Sequence, residues 1–208
     1  MSSRRQSYDF APKKRPAQDR SRATFDALVE ACTWLLPRRG YAGTTTNHIA
    51  VRAGVNIASL YEYFPGKDAI VAQVAERLVD RVLGRLADGA PRVAAAPASH
   101  AARLWIELIH DTVAREKALI AVFASQVPYT NELEPVKNIG ARLVAFSLDL
   151  RRHGGGLDAP EMSPASLHLL INLVTSTILQ IVNEPPADVP TRALLDELVT
   201  RVDRWMRQ

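Results

Sequence analysis

Residues 44–68 read TTTNHIAVRAGVNIASLYEYFPGKD. Thr44-Thr45-Thr46 supplies hydroxyl caps for a short helix running to about Ala53, in which Ile49 and Ala50 face inward. Gly54 ends it. Beyond the tight Gly54-Val55-Asn56 turn, Asn56 caps a second short helix from Ile57 to Phe64, whose Leu60 and Phe64 are spaced four apart for a core. Pro65-Gly66 breaks that helix, and Lys67-Asp68 opens the next. Two helices of about seven residues joined by a turn containing Gly match a helix-turn-helix unit.

Upstream, Phe25, Leu28, Val29, Cys32, Leu35 and Leu36 recur at three-to-four spacing, so Arg20 to Arg39 forms a helix with one apolar face. Pro37 sits in its last turn, Gly40 supplies a left-handed cap, and the helix stops at Arg39 or Gly40. Earlier still, Arg4, Arg5, Lys13, Lys14, Arg15, Arg20 and Arg22 crowd a stretch in which Pro12 and Pro16 discourage helix. Residues 1–19 therefore read as a flexible basic arm. The net charge is +4, but residues 1–68 hold eleven basic against six acidic side chains while the remainder holds fifteen against sixteen. All the excess positive charge lies in the first third. Nucleic acid is the favoured partner of such an arm, with an anionic membrane surface or plain solubilisation as the competing readings.

Downstream, the fourth helix carries Ile70, Val71, Val74, Leu78, Val82 and Leu86 on one side and Arg77, Arg81 and Arg85 on another, and Gly89-Ala90-Pro91 closes it. Further helical patterns cover roughly 99–115, 116–126, 131–152, 163–183 and 191–207, punctuated by Pro128, Gly154-Gly155-Gly156, Pro164 and Pro185-Pro186. No stretch alternates at period two. The expectation is an all-α chain of about nine helices: the arm over 1–19, a helix-turn-helix domain over 20–66, and a helical domain over 67–208.

Composition excludes several classes. With 208 residues, 47% hydrophobic and 23% charged, the chain has an ordinary globular make-up. Its single cysteine rules out an internal disulfide or a site of paired thiolates. The opening Met-Ser-Ser-Arg-Arg begins no signal peptide and no segment approaches eighteen uninterrupted apolar residues, so a cytoplasmic protein without a membrane partner is expected. No enzyme is expected either. Gly154-Gly155-Gly156 lacks the Lys-Ser or Lys-Thr of a phosphate loop, and His100, His110, His153 and His168 are too scattered for a metal site. Arg103, Glu107, Asp111 and Arg115 follow at i+4 intervals, as on a salt-bridged solvent face. Neither a catalytic residue, a metal nor a cofactor is assigned.

The segment from Arg22 to Ile70 resembles the TetR family of transcriptional regulators. The residues that carry the likeness are Gly40-Tyr41, Thr44-Thr45, Ile49-Ala50, Ala53-Gly54-Val55, Leu60-Tyr61, Tyr63-Phe64 and Lys67. The resemblance implies that the third helix enters the major groove of double-stranded operator DNA, exposing Ile57, Ala58, Ser59 and Glu62, with Thr45, Thr46 and Asn47 approaching from the second helix. Most of these are short, so direct readout is modest and DNA shape contributes. Tyr61 and Lys67 are expected on phosphates; Lys67 opens a helix, where its ammonium and free N–H groups converge on one anion. Glu62 departs from the family pattern. Among phosphates its carboxylate is repelled, unless it accepts from cytosine N4 or turns toward Arg38 or Arg39.

The resemblance implies that 67–208 is a helical effector-binding and dimerisation domain, and the last two helices resemble the family's dimerisation pair, with Leu167, Leu170, Ile171, Val174, Ile178 and Ile181 on one and Leu195, Leu198, Val202 and Trp205 on the other. Burial inside one subunit is the alternative. Trp105, Ile109, His110, Phe123, Tyr129, Phe146, His168 and Asn172 are candidates to line an effector pocket, with Met162 beside them and a polar anchor such as His110, His168, Asn172 or Gln180. The implied function is a repressor that binds a pseudo-palindromic operator as a homodimer and is released by a small apolar or aromatic effector. The rival is a helical ligand-binding or scaffold dimer without sequence-specific DNA recognition, for which Glu62 is the hint.

Overall fold

The computed structural model describes residues 8–14, 18–153 and 163–206. The first seven residues with Arg4 and Arg5, Arg15, the Gly154-Gly155-Gly156 run and Met162 lie outside them. Among the described residues there are nine α-helices, one 3-10 turn at Thr130–Glu132 and no strand. The helices are α1 (Asp19–Gly43), α2 (Thr46–Ala53), α3 (Ile57–Tyr63), α4 (Lys67–Ala94), α5 (Ala98–Ser125), α6 (Glu134–Lys137), α7 (Ile139–His153), α8 (Pro164–Asn183) and α9 (Thr191–Met206).

Several boundaries differ from the sequence reading. Gly40 leaves helical geometry at φ 68 and ψ 173, as expected of a stop there, but one more turn follows to Gly43. Pro91 does not end α4, which runs on to Ala94. The region 131–152 is not one helix but the 3-10 turn, α6 and α7. Ala98 to Ser125, expected as two helices, is one. It contains neither Gly nor Pro, and its buried positions Ala102, Ile106, Ile109, Thr112, Val113, Leu119, Val122 and Phe123 keep one helical phase throughout.

The chain divides into two compact units: one holds the residues up to Leu78 together with Ala118–Val136, and the other holds Val79–Lys117 and the chain from Lys137 onward. The division between these units falls inside α4 and α5. The core of the first unit is Phe25, Leu28, Val29, Cys32, Leu35 and Leu36 of α1 against Ile49, Leu60 and Phe64, with Ile70, Val71 and Val74 of α4. Burying each large aliphatic or aromatic side chain here contributes about 1.5–3 kcal/mol. In the second unit Leu86, Ile106, Ile178 and Val202 are among the buried residues.

By length and composition α8 could cross a bilayer. Its stripe Leu167, Leu170, Val174, Ile178 and Ile181 is buried within the chain, and about a third of its most apolar window is covered.

Candidate nucleic-acid interface

Each short helix is fixed by side-chain and backbone caps. The Thr45 Oγ1 accepts from the His48 N–H at 3.2 Å, which starts α2. Gly54 ends it in left-handed backbone, φ 66, and the Val55 N–H donates to the Ala50 carbonyl at 3.0 Å, closing the turn. Asn56 Oδ1 then accepts from the Ala58 N–H at 2.8 Å and starts α3. Beneath them Ile49, Ala50, Leu60 and Phe64 are buried, and the Phe25 ring stands 4.7 Å from that of Phe64. The packing leaves a polar outer surface. Thr45, Asn47, Ala58, Tyr61 and Glu62 are exposed there, and Thr46, Ile57 and Ser59 are half-buried.

Thr46 Oγ1 and the Tyr61 hydroxyl lie 3.2 Å apart, a hydrogen bond that ties the start of α2 to α3. Glu62 makes no ion pair among the described residues. Arg38 instead donates to the Trp34 carbonyl and lies over its ring at 4.1 Å, while Arg39 bonds to His48 Nε2 at 3.2 Å. Of the three readings of Glu62, the turn toward Arg38 or Arg39 is therefore not the one seen.

Lys67 is placed less freely than a solvated lysine. Its ammonium donates to the Tyr41 carbonyl at 2.8 Å and stands 3.8 Å over the Tyr41 ring. Burial lowers its pKa. The next residue, Asp68, accepts from the Tyr41 hydroxyl at 2.6 Å and the Tyr129 hydroxyl at 2.8 Å through one carboxylate oxygen. Burial and that bond push the Tyr41 hydroxyl up to about 12, and burial raises Tyr129 further.

Sequence reasoning missed this cluster and the segment that covers it. Residues 8–14 are not a free arm: Tyr8 and Phe10 pack on Tyr129 with ring centroids at 4.5 and 4.9 Å, and the Lys13 N–H donates to the Tyr63 carbonyl at 2.8 Å. Two aromatics in an otherwise basic stretch were the available signal.

The effector-pocket candidates are not brought together as a set. Phe123 and Tyr129 belong to the first unit, both buried, with Tyr129 committed to Asp68. Trp105 and Phe146 stack in the second unit at 5.8 Å, Ile109 is buried and His110 is half-buried beside Asp111. His168 and Asn172 are exposed on α8, the Asn172 amide donating to the His168 carbonyl. Of the dimer candidates, Leu167, Leu170, Val174, Ile178, Ile181 and Val202 are buried within the chain, whereas Ile171, Leu195, Leu198 and Trp205 are half-buried. The exposed leucines of α8 are Leu169 and Leu173. No group of three or more His, Cys, Asp or Glu able to hold a metal occurs among the described residues.

Residues 24–74 match the family model of bacterial regulatory proteins, tetR family. The HTH-type transcriptional regulator YuxN of Bacillus subtilis (strain 168) is 23% identical over 188 residues, which cover 86% of this chain and 62% of that relative. The chain thus spans less than two thirds of that relative's length. Among solved structures, a transcriptional regulator of the TetR/AcrR family from Thermobifida fusca shares the fold with a TM-score of 0.60 at 17% identity, covering 92% of this chain and all of that one. The fatty acid degradation regulator FadR of Bacillus halodurans does so with a TM-score of 0.58 at 15% identity, over 92% of this chain and 97% of its own. The capped pair α2 and α3 lies within the residues that match this family model, and the likeness to the solved structures extends the shared fold over the rest of the chain.

Proposed function

We propose that the chain is a cytoplasmic repressor that binds a pseudo-palindromic operator as a homodimer and lets go when a small apolar or aromatic molecule binds its second unit. The observation that carries the reading is the pair α2 and α3, capped at each start and presenting short side chains outward over a packed core. Ala58 and Ile57 suit a thymine methyl, Ser59 and Asn47 suit base edges, and Thr45, Thr46 and Tyr61 suit phosphate oxygens. A twofold dimer offers two such helices to half-sites roughly 34–36 Å apart or a multiple of that. The stacked Trp105 and Phe146 support an apolar or aromatic effector. Release works by population shift: the effector favours a dimer whose reading heads are wrongly spaced, with α4, which contributes to both units, as lever.

The test is a gel shift with DNA flanking the protein's own gene, alongside sedimentation and mass spectrometry of copurifying small molecules. A specific shifted band from a species of twice the chain mass, dispersed by a copurifying compound, is expected. A dimer that ignores every duplex offered favours the scaffold reading raised by Glu62.

A further inference from the structure

The first unit holds a short segment that reaches both α3 and the cluster at its foot. The last carbonyls of a helix lack partners within it, and α3 has no basic residue in its final turn to satisfy them. Lys13, forty-eight residues away from Tyr61 in sequence, supplies both kinds of donor. Its backbone N–H bonds to the Tyr63 carbonyl at 2.8 Å and its ammonium to the Tyr61 carbonyl at 3.1 Å. Three residues earlier the same segment is fastened elsewhere. Phe10 and Tyr8 lie at 4.9 and 4.5 Å from the Tyr129 ring, which is 1% exposed, and the Tyr8 and Phe10 rings stack on each other at 5.8 Å. Tyr129 in turn is anchored on Asp68, which also holds the Tyr41 hydroxyl.

We infer that residues 8–14 form a strap that sets the pose of α3, Lys13 capping its C-terminal end while Tyr8 and Phe10 fasten the strap to Tyr129. Lys13 is then a positioning residue. Its charge serves the carbonyl end of the helix, so losing it disturbs which bases α3 meets more than how many phosphates the protein neutralises. A seven-residue helix has little stability of its own, which makes an external cap at its end effective. In its DNA consequence the inference rests on α3 being the helix that reads DNA; the strap itself does not.

The test uses the full chain and two variants, Lys13→Met and Tyr8→Ala with Phe10→Ala, plus Lys13→Arg as the conservative control. Hydrogen exchange in the free protein reads the strap directly. The aromatic double variant is expected to speed exchange of the amides from Leu60 to Phe64 about tenfold, leaving those of Ile70 to Val74 in α4 unchanged. Binding is then measured at several salt concentrations to a duplex that the unaltered protein selects from a randomised pool, and to a scrambled version of it. Lys13→Met is expected to lower the preference for the selected duplex about threefold with the salt slope unchanged, and Lys13→Arg to restore it. Unchanged exchange in α3 overturns the strap. A slope lower by about one with the preference intact overturns the positioning role and makes Lys13 a phosphate contact. Should the unaltered protein select no duplex, the reading of α3 as a DNA helix fails, and the exchange result alone decides for or against the strap.

Discussion

Gly40 and Gly54 both hold positive φ, 68° and 66°, yet the space around them differs. A Cβ on Gly54 would meet nothing within 4 Å, so Gly54→Ala bears only the left-handed backbone, about 1 kcal/mol. At Gly40, ψ of 173 puts the backbone in a region that is essentially glycine's alone, and a Cβ would sit 2.5 Å from Gln126 Oε1. That oxygen cannot move freely because it accepts from the Tyr41 N–H at 3.0 Å. Gly40→Ala should therefore lower stability by about 2–3 kcal/mol in denaturant titration, clearly more than Gly54→Ala. Adding Gln126→Ala should recover only the steric share. Both glycines are legible as stops from sequence, since turn composition is local. Lys67 is not: its partner Tyr41 lies 26 residues away, and only the folded unit brings ammonium and carbonyl together. On the proposed reading Lys67→Ala weakens binding to all sequences alike and lowers the salt slope by about one. An unchanged slope would assign the ammonium to Tyr41 alone.

At the scale of helices, α4 and α5 show what periodicity can and cannot tell. The arginine row at 77, 81 and 85 is plain in the sequence, but its partners are not. Arg77 pairs with Asp26 of α1, while Arg81 and Arg85 both grip Glu116 of α5, at 3.0 and 2.8 Å. Glu116 itself occupies the α5 stripe between Val113 and Leu119, with its side chain only 11% exposed, and a charged residue on an apolar face resembles a helix end in sequence when its partners are unknown. Glu116 offers a test of the pairing. The Arg81 hydrogen bond, with Arg85 assisting, holds its carboxyl below the ordinary 4.5 against the opposing effect of burial. A depressed folded pKa contributes stability at pH above 4.5, and that contribution is lost as pH falls through the folded value. Glu116→Gln is expected to lower stability at pH 7 by about 1 kcal/mol, discounted for two arginines more than a third exposed. Measured again near the acid limit of folding, where the wild-type carboxyl is also protonated, the difference should shrink toward zero. A gap that stays constant with pH would show that the two guanidinium contacts contribute nothing through charge.

For the whole molecule, the open face of α8 bears on the proposed homodimer. Three-and-four spacing identifies the inner stripe of this helix, and the structure covers that stripe within the chain. Sequence alone cannot say which apolar residues a subunit buries for itself and which it leaves for a second copy, because both classes are aliphatic residues at helical spacing. Leu169 and Leu173, one turn apart and 54% and 53% exposed, are the residues left over. A twofold axis across α8 would bring each leucine against its mate, the self-complementary arrangement that closed dimers use. Neither side chain packs in the core, so polar replacements there should spare the subunit's own fold. If the proposed homodimer pairs through this face, Leu169→Ser with Leu173→Ser turns it into single chains at micromolar concentration in sedimentation velocity, with the helical spectrum and unfolding midpoint of the isolated chain retained. Affinity for a two-half-site duplex should fall by at least tenfold, since the second head loses the effective concentration that linkage gave it, while affinity for a single half-site should hardly change. A double variant that still sediments as a dimer would move the interface off this face of α8, and one that loses half-site binding as well would show that the two leucines support the subunit itself.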